Sequence, residues 1–405
     1  MDSRETVQIE NPKDDGRSAK EFLEYHGYVG KRPSIRSSDY ELSLSNPFQY
    51  YLSRRMGFIP CLQWSEALSH GSWFHTYLEF IDHDQAIIDE AYMDSLRLRK
   101  QELDKICDSR GIKGESKDKV LSREEKSAME AKAWAEALWM VPMSNNLTAY
   151  QYLKQDHFMF LDTELHVKTK EKYPRAATFD ALLYHKKQNS LWIVDYKTTS
   201  MSVQNRLMTC PVEFQTNHYL FILKYCKEDI ARHFNLPEDV KVGGMIHIAI
   251  EKPTIKFGIK DRDFQYTTKT LSRGPRKGQT ITEKIYSGEP KLKNYIDRCR
   301  DWYTRTGDFE GVEKTTPVSY SICKLENTER EQKTYQSQIE HIQKLIKCEC
   351  IPSNFLKATK SLFSFGRQNP YLPFYLCPVE LWPNIIKEEG FIQHDRDKET
   401  RFLLD

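Results

Sequence analysis

Two acidic residues and a lysine fall at the ends of two strands that are predicted to be neighbours. In SLWIVDYKT, residues 190–198, strand alternation places Asp195 and Lys197 on the same face. A short polar turn joins this strand to the one before it, ATFDALLYHKK. If the chain turns near Lys187–Gln188, Asp180 lies opposite Asp195, about 5 Å away. The sequence therefore predicts two facing carboxylates and one ammonium group at one end of a sheet.

Two carboxylates this close repel each other unless a positive charge lies between them. A hard divalent cation, Mg²⁺ or Mn²⁺, binds carboxylate and water oxygens and would meet that need. Lys197 beside such a cation could orient an attacking water or offset charge that develops on a phosphate. The alternative is an exposed Asp–Lys ladder at a strand end, because the D-x-K spacing alone is common.

The elements that would position these residues follow in a recognisable order. From about residue 150 the alternation predicts three strands, HFMFLDTELHV, ATFDALLYHKK and SLWIVDYKT. A helix over CPVEFQTNHYLFILKYCKE and a fourth strand over VKVGGMIHIAIEK come next. This order predicts an α/β fold with a mixed central β-sheet flanked by helices.

The flanking segments predict additions to this core. Residues 1–38 are charged and rich in turn signals, which indicates a flexible leader before a core over residues 39–250. Two short helices follow the leader, and Asn46-Pro47 opens the second. Residues 85–142 predict a charged, solvated helical insertion. Residues 251–405 hold a basic loop or ribbon, KTLSRGPRKGQTITEK, then a helix and a C-terminal closure that packs on the core.

Composition limits the class of protein without naming a partner. The 405 residues carry 60 Lys and Arg against 58 Asp and Glu, so any basic surface must be local. Apolar runs stay below the roughly 18–20 residues that span a membrane, and the first residues lack the apolar core of a secretory signal. The nine scattered cysteines are expected to be thiols, and Cys348 and Cys350 are weak candidates for a metal site.

Four motifs in order resemble one family. The chain contains GSWFH (Gly71, His75), AATFD (Asp180), DYK (Asp195, Lys197) and QTNHY (Gln215, Tyr219). Together they resemble the RecB-type exonuclease branch of the PD-(D/E)XK nuclease superfamily, with its G-x-x-x-H helix, acid, D/E-x-K strand and Q-x-x-x-Y helix. This resemblance covers roughly 150 residues and implies a restriction-endonuclease-like core.

The resemblance implies a role for each matching residue. It assigns metal binding to His75, Asp180, Asp195 and the Tyr196 carbonyl, and catalysis to Asp180, Asp195 and Lys197. Gln215 and Tyr219, one helical turn apart, would line the DNA path and support the site. Glu164 at the end of the first strand is a further candidate ligand or catalytic acid, and Glu79, on the same helix face as His75, is a weaker one.

The sequence departs from the family pattern at two places. Ala177 stands where many members have a glycine before the first acid, and alanine is small enough for that turn. One subgroup carries an iron–sulfur cluster on four cysteines. Here Asn46 occupies the first cysteine position and only Cys377 remains near the C-terminus, so an iron–sulfur cluster is not expected.

The function implied is metal-dependent hydrolysis of DNA phosphodiester bonds by an exonuclease, in recombination, repair or replication. The alternatives are a non-catalytic DNA-binding scaffold on the same fold and a structure-specific endonuclease. A helicase or a single-strand annealing protein would be a partner, and the location would be the cytoplasm of a bacterium or of a phage-infected host. Candidate phosphate-binding residues are Arg54, Arg55, Lys269, Arg273, Arg276 and Lys277, and candidate base-stacking residues are Tyr50, Tyr51 and Trp73.

Overall fold

A five-stranded mixed sheet forms the centre of the computed structural model. Its strands are β2 (Phe158–Lys168), β3 (Ala176–His185), β4 (Ser190–Thr199), β5 (Lys241–Glu251) and β8 (Val318–Lys324). They lie in the order β2-β3-β4-β5-β8, and only the β4–β5 pair is parallel. The α/β fold with a mixed sheet is therefore confirmed, and β8 is a strand that the sequence reasoning did not predict.

The structure describes most of the chain. The described residues are 17–60, 66–79, 85–109, 111–140, 158–200, 202–304, 318–325, 329–348, 352–355 and 367–395, with a few shorter pieces near the C-terminus. Residues 1–16 of the predicted leader and the candidate metal ligand Cys350 lie outside them.

Helices and small strands surround the sheet. The helices are α1 (Ala19–Tyr25), α2 (Asp39–Ser45), α3 (Pro47–Tyr50, extended by a π-helical turn, Tyr51–Arg55), α4 (Glu66–Glu79), α5 (Gln85–Ser109), α6 (Glu115–Met140), α7 (Val203–Thr209), α8 (Phe214–His233), α9 (Leu292–Thr304), α10 (Glu329–Lys347), α11 (Leu372–Leu376) and α12 (Trp382–Glu388). The remaining strands are β1 (Phe58–Pro60), β6 (Asp263–Thr270), β7 (Thr280–Ser287), β9 (Phe363–Ser364), β10 (Arg367–Gln368) and β11 (Phe391–Gln393). None of the helices in the described ranges is both long enough and apolar enough to cross a lipid bilayer.

The hairpin of β3 and β4 has the predicted register. His185 pairs with Ser190 and Ala181 pairs with Val194, so the turn is centred on Lys187–Gln188. Asp180 therefore lies opposite Asp195. The helix α8 then leads the chain into β5, which runs parallel to β4. Because β4 and β5 are parallel, their carboxyl ends meet at one edge of the sheet.

Each face of the sheet carries its own apolar layer. Leu191 and Ile193 of β4 pack with α8, whereas Trp192, Val194 and Tyr196 pack with the layer that contains α4, α6 and α9. The strand is thus buried on both faces, which explains its nearly continuous apolar sequence before Asp195.

The predicted solvated insertion is instead part of the core. The helices α5 and α6 do form within residues 85–142, and charged side chains cover their outer sides. However, Tyr92 and Leu96 of α5 and the alanines and Trp134 of α6 are buried against α4 and α9. Trp134 donates a hydrogen bond to Tyr295 on α9 at 2.9 Å. The small alanine side chains let α4 and α9 approach α6 closely, which a count of charged residues alone does not reveal.

The second half of the predicted leader is also ordered. Ser18 caps α1 in a capping box with Glu21, and Leu23 of this helix is buried. Ile35 is fully buried and pairs with Arg175 beside β3. The prediction of a flexible leader therefore needs correction for residues 17–38, because Leu23 and Ile35 of this segment are buried.

The two ends of the described chain close against each other. Strand β1 pairs with β11, and aromatic side chains from α3, α11 and α12 form a shared cluster that includes Phe48, Phe374 and Trp382. Asn46 caps α3 by accepting from the Gln49 backbone N–H, as its place before Pro47 predicted, and it also contacts Tyr375. Packing and hydrogen bonds connect the two ends at the position where the cysteines of the iron–sulfur subgroup would stand.

The buried imidazole of His218 on α8 predicts a loss of stability in acid. Its Nε2 lies 3.1 Å from the Ala176 carbonyl oxygen and its Nδ1 lies 2.9 Å from the Tyr335 hydroxyl. The carbonyl can only accept, so neutral His218 donates from Nε2 and accepts at Nδ1. Burial lowers the pKa of His218 to about 4, against roughly 6.5 in the unfolded chain.

Between pH 7 and pH 5 the unfolded chain therefore binds a proton that the folded chain does not. This proton uptake lowers the unfolding free energy of the wild type by about 2 kcal/mol between pH 7 and pH 5. We expect His218→Gln to lack this decrease. Urea unfolding in EDTA at both pH values measures the difference, with the exposed His233→Gln as control. The same pH dependence in wild type and His218→Gln would contradict this prediction.

Candidate active site

Three acids and one histidine form a row across four adjacent strands. Thr163 pairs with Ala181 and Leu165 with Phe179, so Glu164 on β2 lies opposite Asp180 on β3. Asp180 in turn lies opposite Asp195 on β4, and Asp195 pairs with His247 on β5. The sheet therefore gathers these groups at one level, close to the carboxyl ends of β4 and β5.

The helix α4 adds a second histidine from above this row. His75 Nδ1 lies 3.6 Å from Asp180 Oδ2 and 3.7 Å from Glu164 Oε1. One turn earlier, a Cβ built on Gly71 would lie 3.8 Å from Thr198 Oγ1, so α4 passes close to the end of β4. His75, Glu164 and Asp180 each offer one ligand atom, and these atoms lie within 4.8 Å of one another. One nitrogen and two carboxylate oxygens are a donor set suited to a divalent cation such as Mn²⁺ or Mg²⁺.

Glu164 has an unusual backbone conformation. Its φ is 48°, in the left-handed region that residues other than glycine seldom occupy. The β2–β3 ladder is also irregular between Phe160 and Asp162, just before this residue. Such backbone strain is often found at functional sites, where it re-aims a side chain. Here the strained residue contributes its carboxylate to the cluster with His75 and Asp180.

The carboxylate of Asp195 is held by three side chains. Lys197 Nζ donates to Oδ1 at 2.7 Å, and Gln215 Nε2 donates to the same oxygen at 3.2 Å. Lys197 also donates to Gln215 Oε1 at 2.9 Å, which closes a triangle of polar groups. The second oxygen, Oδ2, lies 3.2 Å from His247 Nδ1. Asp195 lies outside the three-residue cluster with His75, and its role as a metal ligand stays a prediction.

Burial and neighbouring charges pull the pKa values of the two aspartates apart. Burial raises the pKa of Asp180, and the negative charge of Asp195 adds to this effect while His75 opposes it. Burial also acts to raise the pKa of Asp195, but Lys197 and His247 outweigh it and hold that pKa below its usual value. A cation bound beside Asp180 would therefore stabilise its ionised form and lower its pKa.

His75 and Glu79 on α4 respond to the same acids. Burial acts to lower the pKa of His75, but the charges of Asp180 and Glu164 raise it overall. Burial and the nearby Glu164 raise the pKa of Glu79 to about 7. The Glu79 carbonyl accepts a hydrogen bond from Thr163 Oγ1 at 2.9 Å, which connects α4 to β2. Both α4 residues therefore share the electrostatic field of the cluster.

The backbone around Tyr196 helps to position Asp180. The Tyr196 N–H donates to Asp180 Oδ2 at 2.7 Å, so one carboxylate oxygen is fixed by the neighbouring strand. The proposed coordination through the Tyr196 carbonyl oxygen stays a prediction. Gln215 contacts Asp195 and Lys197 directly, whereas Tyr219 is buried against Phe179 with ring centroids 5.4 Å apart. Tyr219 therefore supports the site through packing and is not exposed to line a path for DNA.

The predicted nucleic-acid contacts of Arg55, Tyr50, Tyr51 and Trp73 are wrong, because these side chains are buried. Arg55 is 3% exposed and donates to the carbonyls of Lys31, Leu345 and Cys348. Arg54 pairs with the fully buried Asp39 at 3.0 Å but is itself 24% exposed, so its contact with phosphate stays a prediction. The predicted stacking residues Tyr50, Tyr51 and Trp73 are core residues, with 0%, 0% and 5% exposure. By contrast Lys269, Arg273, Arg276 and Lys277 lie exposed on the β6–β7 hairpin.

Sequence reasoning missed His247 and Arg206. His247 is 1% exposed and connects Asp195 to Thr216 Oγ1, which lies 3.1 Å from its Nε2. The sequence does place His247 in GGMIHIAI, a strand predicted to follow the Q-x-x-x-Y helix. It does not give the register of this strand against β4, which is what brings His247 to Asp195. Arg206 on α7 pairs with Glu213, and its charge acts to lower the pKa of Lys197.

The fold and the site together define a class. The mixed sheet carries two acids and a lysine on two adjacent strands, and a helix places a histidine next to them. This is the arrangement of a restriction-endonuclease-like nuclease core. A family model described as the PD-(D/E)XK nuclease superfamily matches residues 37–348, and the chain belongs to that superfamily. The match is consistent with the RecB-type branch. A comparison with curated proteins found no match for this chain.

The three-residue cluster predicts how the protein binds metal. We expect Asp180→Asn to weaken Mn²⁺ binding at least about tenfold, since even outer partners of a bound metal contribute that much. Isothermal titration calorimetry with Mn²⁺ measures the change. Asp162→Asn is the matched control, because Asp162 is exposed on the same strand as Glu164. Equal affinities for wild type and Asp180→Asn would exclude Asp180 as a ligand.

The buried contact between His247 and Asp195 predicts a contribution to stability. His247→Phe leaves Asp195 Oδ2 without its histidine partner in a buried environment, which costs about 1–3 kcal/mol of unfolding free energy. Urea unfolding of the metal-free protein tests this. His233→Phe, on the exposed end of α8, is expected to stay within about 0.5 kcal/mol of wild type. A difference of that small size for His247→Phe would refute the contribution.

Proposed function

We propose that this nuclease is a metal-dependent deoxyribonuclease that degrades DNA from its ends. The observation that carries the proposal is the meeting of the His75–Glu164–Asp180 cluster with the Asp195–Lys197 pair at one edge of the sheet. A dead scaffold would have no physical reason to keep buried acids this close, because each costs free energy without a cation. The two groups match the two needs of phosphodiester hydrolysis, a metal site and a fixed positive charge.

The donor set fits a divalent cation. His75, Glu164 and Asp180 would hold Mg²⁺ or Mn²⁺, and Asp195 and the Tyr196 carbonyl are proposed as further ligands. A cation bound there would polarise a phosphate oxygen and make water a better nucleophile near neutral pH. Asp195 is buried and the Asp180 side chain is 13% exposed, and Glu164, whose backbone φ is 48°, contributes its carboxylate to the same cluster.

Lys197 is proposed to act on the reacting phosphate. Burial acts to lower the pKa of Lys197, but the charges of Asp195 and Asp180 raise it, so the ammonium stays protonated. Asp195 and Gln215 fix its Nζ by hydrogen bonds of 2.7 and 2.9 Å. A fixed ammonium can orient the attacking water and offset charge on the transition state without reorganising during the reaction.

The preference for DNA ends rests on the G-x-x-x-H helix. The branch that the chain resembles uses this helix where a DNA end passes, and here α4 places His75 over the carboxylates. A non-catalytic DNA-binding scaffold and a structure-specific endonuclease are the alternatives. Recombination, repair or replication would be the setting, with a helicase or a single-strand annealing protein as partner, in the cytoplasm of a bacterium or a phage-infected host.

The choice of substrate is tested with labelled linear single-stranded, linear double-stranded and circular DNA in Mg²⁺, Mn²⁺ or EDTA. We expect metal-dependent loss of linear DNA while covalently closed circles survive. Cleavage of circles would favour the endonuclease, and binding without cleavage in every metal would favour the scaffold.

Lys197→Ala tests the site itself. We expect the rate of DNA hydrolysis to fall by at least about 10²–10³, the size of loss seen when one fixed transition-state donor is removed. The exposed Lys224→Ala on α8 is the matched control and should keep wild-type turnover. Mn²⁺ affinity and the urea midpoint show whether the folded site survives. Wild-type turnover in folded Lys197→Ala would refute the role of this lysine.

A further inference from the structure

The β6–β7 ribbon (Asp263–Ser287) follows β5, the strand whose carboxyl end lies beside the strand that carries Asp195 and Lys197. Its eight pairs run without a break from Asp263–Ser287 to Thr270–Thr280. The preceding strand β5 is parallel to β4, and it ends at Glu251 beside Thr199, just past Asp195 and Lys197. Residues 252–262 then lead directly into the ribbon. The connection that leads to the ribbon therefore leaves the sheet at the carboxyl edge of β4 and β5.

The base of the ribbon is anchored on α9. Asp261 is fully buried, and its carboxylate contacts Arg298 at 2.6 Å and accepts from the Gly258 N–H at 2.7 Å. Its carbonyl accepts from the Lys291 N–H and from Asn294 Nδ2, so both the entering and the leaving chain are held. Because both chains are held at one buried residue, the base of the ribbon has a defined direction.

One face of the ribbon presents aromatic rings to solvent. The register places Phe264 opposite Tyr286 and Tyr266 opposite Lys284, and strand alternation brings all four to the same face. Phe264 is 42% exposed and Tyr266 is 67% exposed. The ring centroids of Phe264 and Tyr266 lie 5.4 Å apart, and Lys284 Nζ lies 3.9 Å from the Phe264 centroid. We call these four residues the aromatic face.

The charge of the ribbon complements a phosphate backbone. Residues 263–287 hold five Lys and Arg residues and two acids, and both acids are within ion-pair distance of a lysine. Arg273, Arg276 and Lys277 lie exposed at the turn, and no carboxylate in the described parts of the chain forms an ion pair with them. Exposed rings next to unpaired cations form the surface that binds single strands, since bases stack on the rings while cations contact phosphates.

We propose that the aromatic face binds unpaired bases of single-stranded DNA that enters or leaves the candidate active site. This proposal rests on the proposed nuclease function and specifies that the DNA bound next to the site is single-stranded. Tyr266 is the main stacking residue because it is the most exposed ring, and Lys284 adds a positive charge within the same face. A duplex keeps its bases stacked on each other, so it gains from the basic turn but not from the rings.

The test compares binding of labelled oligo(dT) and of a blunt duplex by the full-length protein in EDTA, followed by fluorescence anisotropy. We expect Tyr266→Ala to raise the Kd for oligo(dT) roughly tenfold, the effect of losing one base–aromatic stack, with little change for the duplex. Tyr266→Phe keeps the ring and should restore binding. Gln265→Ala alters the opposite face of the same strand and should match wild type.

Cross-strand packing alone would also place rings on this face, and the outcomes separate the two explanations. Equal losses for oligo(dT) and duplex, or for Tyr266→Ala and Gln265→Ala, would overturn the stacking proposal. Unchanged oligo(dT) binding in Tyr266→Ala, while wild type still degrades linear DNA with Mg²⁺, would overturn the ribbon proposal alone. If wild type binds oligo(dT) through Tyr266 but hydrolyses no DNA with any metal, the nuclease proposal fails and the ribbon assignment stands.

Discussion

Repulsion among three carboxylates in one row is the constraint on which the rest of the site depends. Glu164, Asp180 and Asp195 lie on three neighbouring strands, and each is partly or fully removed from water. The protein surrounds these acids with side chains from three different elements, the ammonium of Lys197 on β4 and the imidazoles of His75 on α4 and His247 on β5. The row therefore holds together only when the sheet, α4 and α8 pack at the same time, which couples the site to the whole core.

The negative charge is offset differently at the two ends of the row, by close polar contacts at Asp195 and by a more distant histidine at Glu164 and Asp180. On the Asp195 side, Lys197, Gln215 and His247 contact the two carboxylate oxygens. On the Asp180 side, histidine lies at 3.6–3.7 Å from two acids, and burial still raises the pKa of Asp180. The unequal balance leaves the Glu164–Asp180 side as the place where an added cation stabilises most.

The elements outside the core serve this site through packing. The helices α5 and α6 cover α4 and so fix the helix that carries His75. The N- and C-terminal segments share an aromatic cluster and the β1–β11 pair, a closure made of apolar contacts and backbone hydrogen bonds. The β6–β7 ribbon is the exception, since nearly all its side chains face solvent on both sides. A two-stranded ribbon of this kind is only marginally stable alone, so its exposed rings call for a partner surface.

The sequence by itself determined the strands and helix of the core, the β3–β4 turn and the pairing of Asp180 with Asp195, because alternation and turn length depend on neighbours along the chain. It also identified His75, Lys197 and Gln215, whose spacing forms a motif. Only the tertiary structure placed His247 beside Asp195, because the register of β5 against β4 depends on the helix that connects them. It also buried Arg55, Tyr50 and Trp73, because the burial of a side chain depends on elements far apart in sequence. The same long-range packing buries the aromatic rings of the early helices and leaves Phe264 and Tyr266 of the ribbon exposed.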